Sequence, residues 1–248
     1  MTVAEKLQKI AENEPKVFDA GKHKEWSDFW DAFQLNGTRN AYTMAFGRGN
    51  FSIDTFYPKY SITLSGDASQ AFYNFLGQRV SANEPKWSLK DRFEHCGVSF
   101  DTSKATALTQ CFSWCHFTEL PTIDFTGLTS NANQVFAYMR FLVSIEKLIT
   151  KESVAYASTF LECIKLEHII IEGTIGTDIN MAQCPLTKAS ITNVINALST
   201  TSTGKIATFK KSAVDTAFET SKGASNGSTS EEWLALIATR KNWTISLA

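Results

Sequence analysis

A spaced pair of residues recurs through the middle of the chain. An aromatic residue or methionine is followed three positions later by cysteine or methionine at Phe93/Cys96, Phe112/Cys115, Phe136/Met139, Phe160/Cys163 and Met181/Cys184. The steps between successive pairs are 19, 24, 24 and 21 residues. After each central pair comes a second regular set: Phe117, Leu120, Ile123 and Phe125; then Leu142, Ile145 and Leu148; then Leu166, Ile169 and Ile171. Two equal steps carrying the same residue classes define a repeat over residues 93–186. Its first and last copies are degenerate, as the terminal units of an array usually are.

A 24-residue period with an L-x-x-I-x-I kernel predicts an α/β fold built on a short leucine-rich-repeat solenoid. Each coil of about 24 residues supplies one short strand (Ile123–Phe125, Glu146–Ile149, Ile169–Ile171), and the strands stack into a parallel sheet. The F-x-x-C segment forms the opposite wall as a short helix or turn. One coil cannot bury its own apolar residues, so neighbouring coils bury them for each other. Cysteine in this column acts as a small hydrophobe. Met139 in the same slot supports packing over chemistry.

Composition sets the outer bounds. The 248 residues suffice for one large domain or two modest ones, and 43% apolar content can fill a core. A formal net charge of −1 lacks the basic excess of a general nucleic-acid binder. No run of 18 apolar residues occurs, so no membrane insertion is expected. The opening "MTVAEKLQKIAENEPK" reads as a polar helix without the apolar core of a secretion signal, which predicts a protein made in the cytoplasm that stays there or leaves by lysis or another route. The odd count of five cysteines predicts free thiols.

Four regions follow. Residues 1–35 read as N-terminal helices for attachment or oligomerisation. Val3, Leu7, Ile10 and Val17 make a short heptad seam that fits a trimer, or equally a helix docked over the first coil. Residues 36–90, turn-rich and aromatic, read as an N-terminal cap over the exposed end of the stack. Residues 91–186 are the solenoid. Residues 187–248 read as an α+β C-terminal cap: a helix in "TKASITNVINALS", a strand in "KIATFK", helices in "SAVDTAFETSK" and "SEEWLALIATRK", the latter with Ser230 as cap, and a closing strand in "NWTISL".

The stretches "FSWCHFTELPTIDF", "FLECIKLEHIIIEGTIG" and "MAQCPLT" resemble BspA-like leucine-rich repeats, the bacterial surface and adhesion type. The flanking "KVFDAGKHKEWSDFWDAFQLNGTRNAYTMAF" and "EEWLALIATRKNWTISLA" resemble segments beside such repeats in prophage-encoded proteins of gut Firmicutes. The resemblance implies a non-enzymatic virion-associated protein. Its partners would be other virion proteins, or a host-surface protein or glycan. The alternative it implies is a cell-surface adhesion or interaction protein.

No catalytic, cofactor or metal motif stands out. Cys111, Cys115 and His116 are the nearest thing to a metal corner, but Cys115 belongs to the packing column and no second ligand pair matches. His95 and Cys96 are adjacent, and adjacent side chains usually point apart. The binding candidates are surface residues. The position before the Cys/Met column runs His95, Trp114, Tyr138, Glu162 and Gln183, and it cannot point inward on every coil. Stacked coils would set Trp114 and Tyr138 on adjacent rungs, roughly 5 Å apart, with His116 and Arg140 flanking. Aromatics beside polar groups suit a sugar or a protein partner. The competing reading is that both rings tuck against cap or loops. A second candidate is the outward sheet face at Asp124, Glu146, His168 and Ile170.

Overall fold

The computed structural model describes residues 62–74, 87–90, 100–219 and 230–248. The helices and trimer seam expected over 1–35, most of the expected cap at 36–90, and His95 with Cys96 lie outside these residues. In chain order the strands are β1 (Ile62–Thr63), β2 (Gly66–Asp67), β3 (Trp87–Ser88), β4 (Phe100–Asp101), β5 (Ala105–Ala107), β6 (Phe117–Leu120), β7 (Ile123–Asp124), β8 (Ser144–Thr150), β9 (His168–Gly173), β10 (Ile179–Met181), β11 (Lys205–Phe209) and β12 (Trp243–Leu247). The helices among these residues are α1 (Lys188–Ala197), α2 (Lys211–Phe218) and α3 (Glu231–Ala238).

The fold is α/β, with short parallel sheets and no closed barrel. The largest sheet joins β3, β6, β8 and β9, with β7 also on β8. Parallel neighbours need a long return path, and its length is nearly constant here. Ser144 pairs with His168 and Ile145 with Ile169, each 24 residues on, while Ile123 pairs with Leu148. The strands β8 and β9 run longer at both ends than the kernel predicts, because the pairing continues past a register shift to Thr150 and Gly173.

The return path passes through a wall of turns, which settles the expected "helix or turn" as a turn. Adjacent turns are joined by peptide hydrogen bonds: Phe112 N–H to Val135 O (2.9 Å), Trp114 N–H to Ala137 O (3.0 Å), Phe136 N–H to Thr159 O (3.1 Å) and Tyr138 N–H to Leu161 O (2.7 Å). Between the two walls the phenylalanines form a column. Ring centroids are 5.3 Å apart for Phe72–Phe112, 6.0 Å for Phe112–Phe136 and 5.6 Å for Phe136–Phe160. All four rings are buried, each burial contributing about 1.5–3 kcal/mol.

The pair Phe93/Cys96, expected one step before Phe112, lies outside the described residues. Among the described residues a further turn, "QAFYN" at 70–74, stacks Phe72 on Phe112, and Phe72 N–H donates to Cys111 O. A 40-residue connection from Phe72 to Phe112 hides it from a 24-residue search.

The C-terminal elements follow the sequence reading. Thr187 caps α1 by accepting from Ser190 N–H. Ser230 sits at the N-cap position of α3 but makes no capping bond there; Glu231 and Glu232 place negative charge in that first turn instead. α1 also closes the large sheet. Ser190 Oγ accepts from Ile169 N–H (3.1 Å) and Asn193 Oδ1 from Ile171 N–H (2.5 Å), so side chains take the place of a further strand beside β9. A second parallel sheet, β10-β11-β12, crosses the boundary expected at 186/187: Ile179 pairs with Ala207 and Met181 with Phe209.

Candidate functional site

The turn wall dictates which side chains face outward. Each turn holds two residues in the left-handed backbone region: Gln70 and Asn74, Gln110 and Trp114, Gln134 and Tyr138, with Glu162 on the next turn. The reversal at Trp114 (φ 65°), Tyr138 (φ 63°) and Glu162 (φ 60°) turns these side chains away from the buried Cys115, Met139 and Cys163 that follow them. A β-carbon in this region costs about 1–2 kcal/mol. Aromatic residues therefore stand where glycine or asparagine would be easier.

Trp114 and Tyr138 stack. Their centroids are 4.4 Å apart and their planes 11° from parallel, on adjacent turns as the spacing predicts. Trp114 is 39% exposed and Tyr138 half-buried. Arg140 joins them, its guanidinium carbon 5.9 Å from the Trp114 ring centre and its Nη2 3.2 Å from Glu162 Oε2. Gln183 holds Glu162 from the far side: Gln183 Nε2 donates to Glu162 Oε1 (2.7 Å), and Glu162 N–H donates to Gln183 Oε1 (2.7 Å). The result is a strip along the wall: two stacked rings, then a guanidinium–carboxylate pair, then an amide.

The stack covers the inner face of each ring, so nothing can be held between them. That geometry suits hydrogen-bonding and edge contacts more than stacking a sugar between the two rings. The ion pair is half-exposed and contributes about 0–1 kcal/mol to stability.

The His116 ring meets Phe141 edge-on at 4.9 Å, and Lys165 Nζ lies 5.6 Å from the same Phe141 ring. The outward sheet face is internally paired. Glu146 lies 4.0 Å from Lys90, Lys147 bonds Glu172 at 2.8 Å, and His168 is 3.8 Å from Glu167. Asp124 folds back onto Thr126 N–H (2.7 Å). Ile170, 55% exposed, stands among them.

The cysteines behave as the packing reading predicts. Cys115 Sγ donates to Phe72 O (2.7 Å) and Cys163 Sγ to Phe136 O (3.0 Å). Burial pushes the thiols of Cys111 and Cys163 far up and that of Cys184 to about 12. A thiol held protonated is a poor nucleophile and a poor metal ligand. Among the described residues no group of three or more His, Cys, Asp or Glu converges on one point.

A glutamine ladder not expected from the spacing runs along the wall: Gln70 Nε2 donates to Gln110 Oε1, and Gln110 Nε2 to Gln134 Oε1, each at 2.8 Å. Its signal is legible as Gln-x-Phe-x-(Asn, Trp or Tyr) at 70–74, 110–114 and 134–138. Scans against protein-family models, curated proteins and solved structures each return no match for this chain.

Proposed function

We propose that this chain is a non-enzymatic recognition protein of a phage or prophage particle. In this reading it is a BspA-like leucine-rich-repeat solenoid that presents the strip of Trp114, Tyr138, Arg140 and Glu162 to a host-surface protein or glycan. The observation that carries it is the Trp114–Tyr138 stack, two large rings kept at outward, left-handed positions where they cost stability. Residues retained at such a cost invite a functional explanation, and Trp, Tyr and Arg are the residue types that dominate binding energy at interfaces.

The solenoid reading is supported by strand pairing at 24-residue offsets, one buried phenylalanine per turn and the peptide ladder through the turn wall. The non-enzymatic reading is supported by thiols that are buried and held protonated. The particle address rests on the likeness of residues 16–46 and 231–248 to flanks of prophage-encoded repeats.

Mass spectrometry of particles purified from an induced culture of the source bacterium tests the address. Stoichiometric copies in intact particles are expected. Their absence, with the protein in the cell-surface fraction, would transfer the same strip to an adhesion protein. Labelled protein titrated onto host cells tests the strip: Trp114→Ala with Tyr138→Ala should raise Kd by about thirtyfold, roughly 2 kcal/mol. Unchanged binding by a folded double variant would remove the strip from the interface.

A further inference from the structure

The outer edge of the second sheet carries a pattern of its own. Among the described residues β12 is the last strand of β10-β11-β12. Its residues, Trp243, Thr244, Ile245, Ser246 and Leu247, include no charge and no proline, and it pairs with β11 without a register shift. Charges, prolines and bulges are the devices that ordinarily blunt an edge strand. The large sheet is treated differently, because α1 covers its β9 edge.

The free edge can be read group by group. Ala248 N–H donates to Phe209 O on β11 (3.0 Å). Alternate residues of a strand direct their N–H and C=O groups to opposite sides. Thr244 and Ser246 therefore face β11 with the backbone, while Ile245 and Leu247 face away from it. Trp243 N–H is taken by Arg240 O (2.9 Å). Thr244 is exposed and Leu247 is 37% exposed.

We propose that this edge pairs antiparallel with the same edge of a second copy of the chain, about a two-fold axis through Ile245. Read outward from Ile245 in either direction, the strand is apolar, hydroxyl, apolar. Two-fold pairing sets Ile245 opposite its counterpart, Trp243 opposite Leu247 and Thr244 opposite Ser246. The outward Ile245 N–H then donates to the Ile245 C=O of the second copy, whose own N–H donates back to the first. Each Leu247 N–H reaches the opposing Trp243 C=O. On one face the half-buried Ile245 and the exposed Leu247 continue an apolar row that begins with the buried Trp243. On the other face threonine meets serine, a favourable cross-strand pair. The interface is isologous and closes as a dimer. A strand from an unrelated partner would not require this symmetry about Ile245.

Sedimentation of the full chain across a concentration series tests the pairing. The wild type should show a concentration-dependent monomer–dimer equilibrium. Thr244→Lys, at an exposed side chain whose backbone bonds to β11 remain, should raise the dimer Kd at least about tenfold. Ser246→Glu should act in the same direction. The double variant carrying both sets lysine opposite glutamate twice, and should return Kd to within about threefold of wild type or below it. Only a register with 244 opposite 246 predicts that rescue. A wild type that stays monomeric into the hundreds of micromolar, an association that Thr244→Lys leaves untouched, or a double variant no tighter than either single would each overturn the proposal. Circular dichroism confirms that each variant is folded.

Discussion

Tyr138 allows the backbone of the turn wall to be tested apart from its side chains. At φ 63° its β-carbon crowds the following carbonyl, and its ring is stacked on Trp114 at 4.4 Å. Tyr138→Ala and Tyr138→Gly both delete the ring and lose the stack equally. They differ in the β-carbon. Alanine keeps the left-handed penalty of about 1–2 kcal/mol. Glycine removes it, but its freer unfolded chain gives back about 0.5–1 kcal/mol. The balance makes Tyr138→Gly more stable than Tyr138→Ala by about 0.5–1 kcal/mol, the reverse of the order in a regular strand. Urea unfolding with unchanged slopes should read this as a higher midpoint for the glycine variant. A thermal scan should place its Tm about 1–4 °C higher for a chain of this size. Thr208, in β11 and paired on both sides without a register shift, serves as control, and there alanine should exceed glycine by about 0.5–1 kcal/mol. Equal stabilities at 138, or alanine ahead, would refute the claim that the turn wall imposes this conformation on its outward residues.

Three further outcomes follow from the same geometry. Stability should fall as pH rises above about 9 and keep falling towards 12: Cys184, at about 12 when folded, and Tyr156, also about 12, bind protons that the unfolded chain has already released. Urea midpoints from pH 7 to 11 check this, and a flat profile would contradict it. Gly127→Ala should destabilise by about 2–3 kcal/mol, because a β-carbon there would lie 2.2 Å from Ser103 O and 2.6 Å from Ala105 O, both backbone atoms that cannot step aside; a midpoint within error of wild type would be the contrary result. Deleting residues 137–160 removes one turn and joins Phe136 to Leu161, the neighbour its equivalent Phe160 already has. The shortened chain should fold cooperatively with reduced stability, as interchangeable stacked units do, and an unfolded circular-dichroism spectrum would show that the turns are not interchangeable.

Much of this architecture was legible in the spacing. Phe112, Phe136 and Phe160 recur at a fixed period, so a column of rings followed directly, and with it the adjacency of Trp114 and Tyr138. The turn containing Phe72 was not legible, because its connection to the next turn is longer than the period. His116 and Arg140, also 24 residues apart, were expected to flank the two rings. A common period fixes height along the stack, not the direction a side chain takes after the chain reverses at a left-handed residue. Arg140 reaches forward to Glu162, while His116 turns onto Phe141. The helices of the last 60 residues were legible from their apolar stripes. The use of Ser190 and Asn193 to bond the edge of β9 was not, because small polar residues on a helix look like solvent-facing positions.

The amide of Gln183 has a consequence for how such an array can lengthen. Along the wall, each outward residue donates its N–H to a peptide carbonyl of the next turn, until Glu162, whose N–H is received by a side chain. Gln183 imitates a peptide group without belonging to one, and so halts a template that could otherwise be copied onto another turn. A duplicated unit inserted before this residue would find a peptide partner on either side. One inserted after it would meet a side-chain amide in place of the peptide carbonyl that Trp114 and Tyr138 find on the turn after theirs.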